Sequence, residues 1–235
     1  MRASRRSSHY VAGVLLFMAS AALATPGRAD DAMDARQLVE KATLTFESMS
    51  VAPEMDGLRD LMKNAKGMFI APQVLRGAFI FGVSGGSGVF FARGQRPLQW
   101  NGPAFDTIGE ASFGLQAGAD ASEIVLLAMT DRGVTALLST SVKLGADASV
   151  AAGPVGIGVR AATANLSVDI LSFSRSKGLY GGVSVEGAVI ATRGSLNAAY
   201  YGREVSPADI LIRGAVSNPH ATPLIERIRK AAAAK

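Results

Sequence analysis

From Gly67 onward glycine cuts the chain into apolar runs too short for most helices and the right length for strands. Glycine supplies 26 of 235 residues, above the ~7% of ordinary chains. The runs between glycines are rich in Val, Ile and Phe, which suit a pleated surface. This pattern predicts many turns and antiparallel strands at 68–70, 78–83, 89–93, 111–119, 123–130, 145–152, 165–174 and 181–192. Pro72 should stop the first strand, and Asp131 should cap a short helix over 132–138. The pentapeptide Gly-Ala-Asp-Ala-Ser occurs at 118–122 and at 145–149, too short a match to establish a repeat.

On either side of this body the period becomes helical. Leu38, Val39, Ala42, Phe46 and Met49 recur at spacings of three and four in a helix expected from Ala35. After Pro53, residues 54–65 place Met55, Leu58, Leu61, Met62 and Ala65 on one side, with Arg59, Lys63 and Lys66 along its border. Near the other end, Ser206-Pro207 and Thr222-Pro223 read as helix starts, and Arg227, Arg229 and Lys230 suit the carboxyl pole of the last helix. The fold class expected is α+β: one antiparallel β-rich domain, a curved sheet or a sandwich-like body, with amino- and carboxyl-terminal helices.

Residues 1–24 read as a secretory signal peptide, with Arg2, Arg5 and Arg6 ahead of an apolar stretch from Val11 that ends Ala22-Leu23-Ala24. An uncleaved anchor is the alternative, but the stretch falls short of the ~20 residues that span a bilayer. Residues 25–34 are expected as a flexible lead and 35–235 as the domain, exported to the periplasm or cell envelope and peripheral to the membrane. The leader holds three of the 24 basic residues and none of the 19 acids, so the remainder carries 21 against 19. A net of +2 gives no support to a nucleic-acid partner, which needs a dense basic face. The chain has no cysteine, which excludes disulfides, thiolate metal sites and a cysteine nucleophile.

Gly82, Ser84 and Gly86 spell G-x-S-x-G, the pattern of a serine-hydrolase nucleophile elbow. An elbow needs a helix after the serine and a histidine base. Here Val89-Phe90-Phe91 favours a strand, so a hairpin turning at 84–88 is the better reading. The base would have to be His220, because His9 lies in the leader. A serine esterase using Ser84 stays as the alternative function, beside a structural envelope component. No cofactor or metal site is called: His220 is isolated, and Asp106, Asp120, Asp131, Asp147 and Asp169 read as turn and cap acids. A small outer-membrane barrel is disfavoured, since Glu123-Ile-Val-Leu-Leu-Ala-Met129 is almost continuously apolar where barrel strands alternate.

Four stretches together resemble the SYLF domain, catalogued in fungal members as an actin-regulator domain. They are AKGMFIAPQVLRGAFIFGVSGGSGVFFARG (65–94), GPAFDTIGEASFGLQAGADASEIVLLAMTDRGVTALL (102–138), LGADASVAAGPVG (144–156) and FSRSKGLYGGVSVEGAVI (173–190). The resemblance covers roughly residues 35–203. It implies a non-enzymatic domain that binds membrane lipids, phosphoinositides in eukaryotic members, through its amino-terminal amphipathic part. The leader and the mixed charge of the first helix shift the expectation here to anionic phospholipid and argue against actin. The expected function is therefore docking of an envelope protein on anionic membranes through a basic edge beside an amphipathic helix. Candidate contacts are Arg59, Lys63, Lys66, Arg76, Arg93, Arg175 and Lys177, with Ser84, Gly85 and Gly86 as a headgroup-contacting turn.

Overall fold

Ile124 to Met129 is apolar along its length because both faces of the chain there are covered. Ile124, Leu126 and Ala128 are buried on one side, and Val125, Leu127 and Met129 on the other. A computed structural model describes residues 28–78, 81–113, 118–156, 167–176, 178–181 and 184–233. Within them the strands are β1 (Gly67–Ala78), β2 (Phe81–Arg93), β3 (Trp100–Phe113), β4 (Gly118–Ala128), β5 (Ser141–Lys143), β6 (Val150–Ala152), β7 (Ile170–Ser176), β8 (Leu179–Gly181) and β9 (Val189–Thr192). They form one sheet in the order β5-β9-β3-β2-β1-β4-β7-β6, with β8 pairing on β7. All pairings are antiparallel except β6 with β7. The fold is therefore α+β around a single sheet rather than two packed sheets.

The helices are α1 (Arg28–Val51), α2 (Asp56–Met62), α3 (Asp131–Leu137), α4 (Gly194–Tyr201), α5 (Pro207–Leu211) and α6 (Thr222–Ala233). One sheet face carries α1, α2, α4 and α6. There Ala35, Val39, Ala42, Phe46 and Met49 meet Met68, Val89, Phe91, Val125 and Phe173. The opposite face is closed by α3 and α5, with Val134, Leu137, Ile210 and Leu211 against Phe69, Phe90 and Leu126.

Several boundaries differ from those the sequence predicts. Residues 28–34, expected as a flexible lead, are the first turns of α1, where Asp30 and Asp31 sit at the positive pole of the helix. Pro72 does not end β1: the register shifts between Ile70 and Gln73 against β2, and close to it against β4, so the proline sits in a bulge where no ladder donor is needed. The stretch 84–88 is no turn. It lies inside β2, and the β1–β2 connection falls at 79–80, outside the described residues. Among the described residues its glycines do not have positive φ. A Cβ at Gly86 would collide with the Gln73 carbonyl, and one at Gly88 with the Phe69 ring, so close packing is what requires them.

The strand expected at 111–119 is instead the end of β3 and the start of β4, with 114–117 outside the described residues. The strand expected at 181–192 is split between β8 and β9. Most of 145–149 is a tight turn rather than strand. The two Gly-Ala-Asp-Ala-Ser segments adopt different conformations: 118–122 is strand, while Gly145 takes φ 85° and its N–H donates to the Ala148 carbonyl. Tertiary pairing decides between them, not local preference.

Asp106 and Asp120 are strand residues and not turn acids, whereas Asp169 lies as expected in the bend just ahead of β7, but buried. Asp169, 5% exposed, accepts from the Thr130 hydroxyl (2.6 Å), the Ser149 N–H (3.0 Å) and the Ser149 hydroxyl (2.8 Å). Burial opposes its charge, but these bonds and nearby Arg132 outweigh it and hold the carboxyl below its ordinary range. It thereby ties the amino end of α3 to β6 and β7. Asp106 lies mid-strand in β3 between Gly88 of β2 and Thr192 of β9, 2% exposed.

Candidate functional site

The carboxyl end of α1, the start of α2 and the outer side of α6 enclose a groove of 450 Å³, lined by Glu47, Ser50, Val51, Arg59, Arg227 and Lys230. Its walls follow from helical period. Leu224, Ile228 and Ala232 point into the core at every fourth position, which turns Arg227, Arg229 and Lys230 outward. Arg227 and Lys230 also border a shallower hollow with Leu98 and Pro223. Two apolar side chains stand uncovered beside these cations: Val51 is 73% exposed and Leu98 36%.

The helix expected over 54–65 ends at Met62, so Lys63 caps it and Lys66 lies beyond it, and the three cations are neutralised. Arg59 pairs with Asp56 and donates to the Ser50 (3.0 Å) and Ala52 (2.6 Å) carbonyls; Lys63 pairs with Asp60 at 3.4 Å and Lys66 with Asp131 at 2.6 Å. On α6, Arg227 pairs with Glu47 at 3.3 Å and Arg229 with Glu226, while Lys230 has no acid within salt-bridge distance among the described residues. The groove thus carries more positive charge than the α2 edge. The sequence showed the α6 cations, but as complements to the helix dipole; the proximity of Val51 and Leu98 is a tertiary fact.

The other candidates lie elsewhere. Arg93 closes the end of α2: it donates to the carbonyls of Met62 (3.3 Å), Lys63 (3.0 Å) and Ala65 (3.0 Å), lies 5.4 Å from the Trp100 ring centre, and has its pKa lowered by burial. Arg175 bridges Glu123 and Ser48 and sits over the Tyr180 ring. Both guanidiniums are committed within the fold. Arg76, Ser84, Gly85 and Gly86 lie on the β1–β2 pair at the end of the sheet away from α2, and Lys177 lies outside the described residues.

An esterase has no geometry here. Ser84 is within a continuous strand, not at a strand-to-helix turn. The His220 ring nitrogens face the Tyr200 hydroxyl at 3.3 Å and Glu40 at 3.2 Å, and His220 is not among the residues lining the hollow that contains Ser84. Among the described residues no group of three His, Asp or Glu could hold a metal ion, and no helix is long and apolar enough to cross a membrane.

Among the described residues the site is a basic groove on the helical cover of one sheet, and Ser84 and His220 are not brought together. Residues 109–231 match the family described as Las17-binding protein actin regulator (Ysc84). The chain is 32% identical over 173 residues to LAS seventeen-binding protein 3 of Saccharomyces cerevisiae, covering 72% of this chain and 37% of that protein. It is 33% identical over 170 residues to Protein YSC84 of the same yeast, covering 70% and 36%. Human SH3 domain-containing YSC84-like protein 1 is 30% identical over 153 residues, covering 64% and 44%. The chain belongs to this Ysc84/SYLF family. It spans less than half the length of these relatives.

Proposed function

We propose that this chain is a non-enzymatic envelope protein that docks on anionic phospholipid through the groove between α1, α2 and α6. The observation that carries the reading is the placement of exposed Val51 and Leu98 beside Arg59, Arg227, Arg229 and Lys230. An interfacial surface uses this combination: apolar side chains enter the acyl boundary while cations on flexible stems stay at headgroup level. The ion pairs of Arg227 and Arg229 are exposed, so each is worth about 0–1 kcal/mol and yields readily to a phosphate-dense surface. Each cation held there gains about 1 kcal/mol from an anionic leaflet.

Co-sedimentation with phosphatidylglycerol-rich against phosphatidylcholine vesicles tests this. The chain is expected to pellet with the anionic vesicles at low salt and to leave them as added salt shortens the screening length. Equal, negligible recovery on both would contradict it. The relatives' printed names refer to Las17 and to actin regulation, so actin filaments form the second arm; recovery with filaments and not with vesicles would replace the lipid reading. Export rests on the leader. The intact mass of protein recovered from its native cell should correspond to a chain beginning near Thr25, and a mass that includes Met1–Ala24 would overturn it.

A further inference from the structure

On the sheet face opposite the groove, one row of side chains crosses four neighbouring strands at the end of the sheet. Glu110 of β3 is in register with Ser84 of β2, Ser84 with Arg76 of β1, and Arg76 with Asp120 of β4. The next row toward the core reads Ile108, Gly86, Val74, Ser122, and Gly86 adds no side chain between its two aliphatic neighbours, since a Cβ there would meet the Gln73 carbonyl. Val185 and Ala188, from the segment ahead of β9, join residues of both rows in lining one hollow. The result is a hollow of 190 Å³ with an apolar floor of Val74, Ile108, Ile124, Val185 and Ala188 and a rim of Arg76, Glu110, Asp120 and serines. At roughly 30 Å³ per water, that is the space of about six waters.

From this arrangement we infer that the hollow is a binding site for a small zwitterion with a short aliphatic side chain, of the α-amino-acid class. Arg76 and Glu110 approach only to 3.5 Å and the arginine is 50% exposed, so the pair is loose and costs little to open around a ligand. The carboxylate of an amino acid would take the Arg76 fork, its ammonium would take Glu110, and the Ser84 hydroxyl lies between them in register. Asp120 accepts from the Ser176 hydroxyl at 2.7 Å and fixes the far side of the row. The aliphatic side chain would rest on Val74, Ile108 and Ile124, which are buried. Other ligands fit less well. A lone anion meets two acids flanking a single cation, a metal ion meets Arg76, and among the described residues no aromatic ring lines the hollow to stack a sugar. The site also gives a role to the serine of G-x-S-x-G that involves no nucleophilic chemistry.

Isothermal titration of the full chain with L-valine should show one saturable site. Arg76→Gln and Glu110→Gln should each weaken it by roughly 10- to 100-fold, the worth of one charge-assisted hydrogen bond. Isovalerate and isobutylamine, which are valine without its ammonium and without its carboxylate, should bind at least as poorly as valine binds the variants. Circular dichroism of both variants guards against misfolding, and Ser84→Leu, which fills the hollow from an in-strand position, should abolish binding independently. No saturable valine binding, binding unchanged in both charge variants, or single-charge analogues as good as valine would overturn the assignment. Glycerophosphoethanolamine, which presents the phosphodiester and ammonium of a lipid headgroup, is the remaining arm: tighter binding than valine would overturn the amino-acid source.

Discussion

Asp106→Asn is expected to stabilise the protein strongly at pH 8 and hardly at all at pH 4. Burial pushes the Asp106 carboxyl up to about 7, against a hydrogen bond from Thr192 that favours the ionised form. In the unfolded chain the group titrates near 3.8. The folded state therefore holds the proton more tightly. Its stability is greatest below the unfolded pKa, falls as pH rises from about 4 to about 7, and levels off above that. Three pK units correspond to about 4 kcal/mol. The asparagine variant keeps the shape and an acceptor for Thr192 without the charge. By pH 8 it should exceed the parent by about that amount, a rise on the order of 10 °C in Tm for a domain of this size. Thermal denaturation of both proteins from pH 4 to pH 8 checks this; parallel curves across the range would show that Asp106 is not ionised at a cost in the fold.

The second large effect separates two glycines of one motif. Gly88→Ala is expected to cost about 3 kcal/mol or more, because the added Cβ would strike the Phe69 ring and lie 2.7 Å from the Ile70 carbonyl oxygen, both on the paired strand β1. Gly85→Ala, three residues earlier in the same strand, meets nothing nearer than the Ile108 carbonyl at 3.9 Å. It should stay within about 0.5 kcal/mol of the parent. Urea unfolding of the two variants decides. Equal losses would mean that these glycines serve a turn, as the sequence pattern implied, and not close strand packing.

That motif shows why the fold was only partly legible. The GVSGGSG stretch at 82–88 carries every local mark of a turn, and what keeps it extended is pairing on both sides with β1 and β3, which no local window contains. The same holds for Pro72, whose stop signal is cancelled by a bulge, and for Trp100–Phe113, a long strand hidden by Gly102-Pro103 and a buried aspartate. Helix α4 escaped because Gly194-Ser-Leu-Asn-Ala-Ala-Tyr-Tyr201 is short and weakly amphipathic; it is held by packing on α1 and by Asn197, whose side-chain oxygen accepts from the Phe105 N–H at 3.0 Å. Signals that are local by nature survived. Ser206-Pro207 starts α5 with a complete capping box through Asp209, and the four-residue spacing of Leu224, Ile228 and Ala232 sets the inward face of α6.

The cations were legible in the sequence, and their partners were not. Of the cations at 59, 63 and 66 only Arg59 lies within α2, Lys63 being its cap and Lys66 following in a bend, and Asp56, Asp60 and Asp131 answer them one for one. Arg93 and Arg175 look like free charges in the sequence and serve as internal struts. Excess charge moved instead to α6, nearly 170 residues from α2 in sequence and adjacent to it in space.

Charge reversal at that helix tests the docking surface most directly. Arg227→Glu combined with Lys230→Glu should abolish recovery on phosphatidylglycerol-rich vesicles at low salt, whereas Lys63→Glu, on the already neutralised edge, should lower it only slightly. If the double variant pellets as the parent does while Lys63→Glu does not, the membrane meets α2 and the groove is not the docking face.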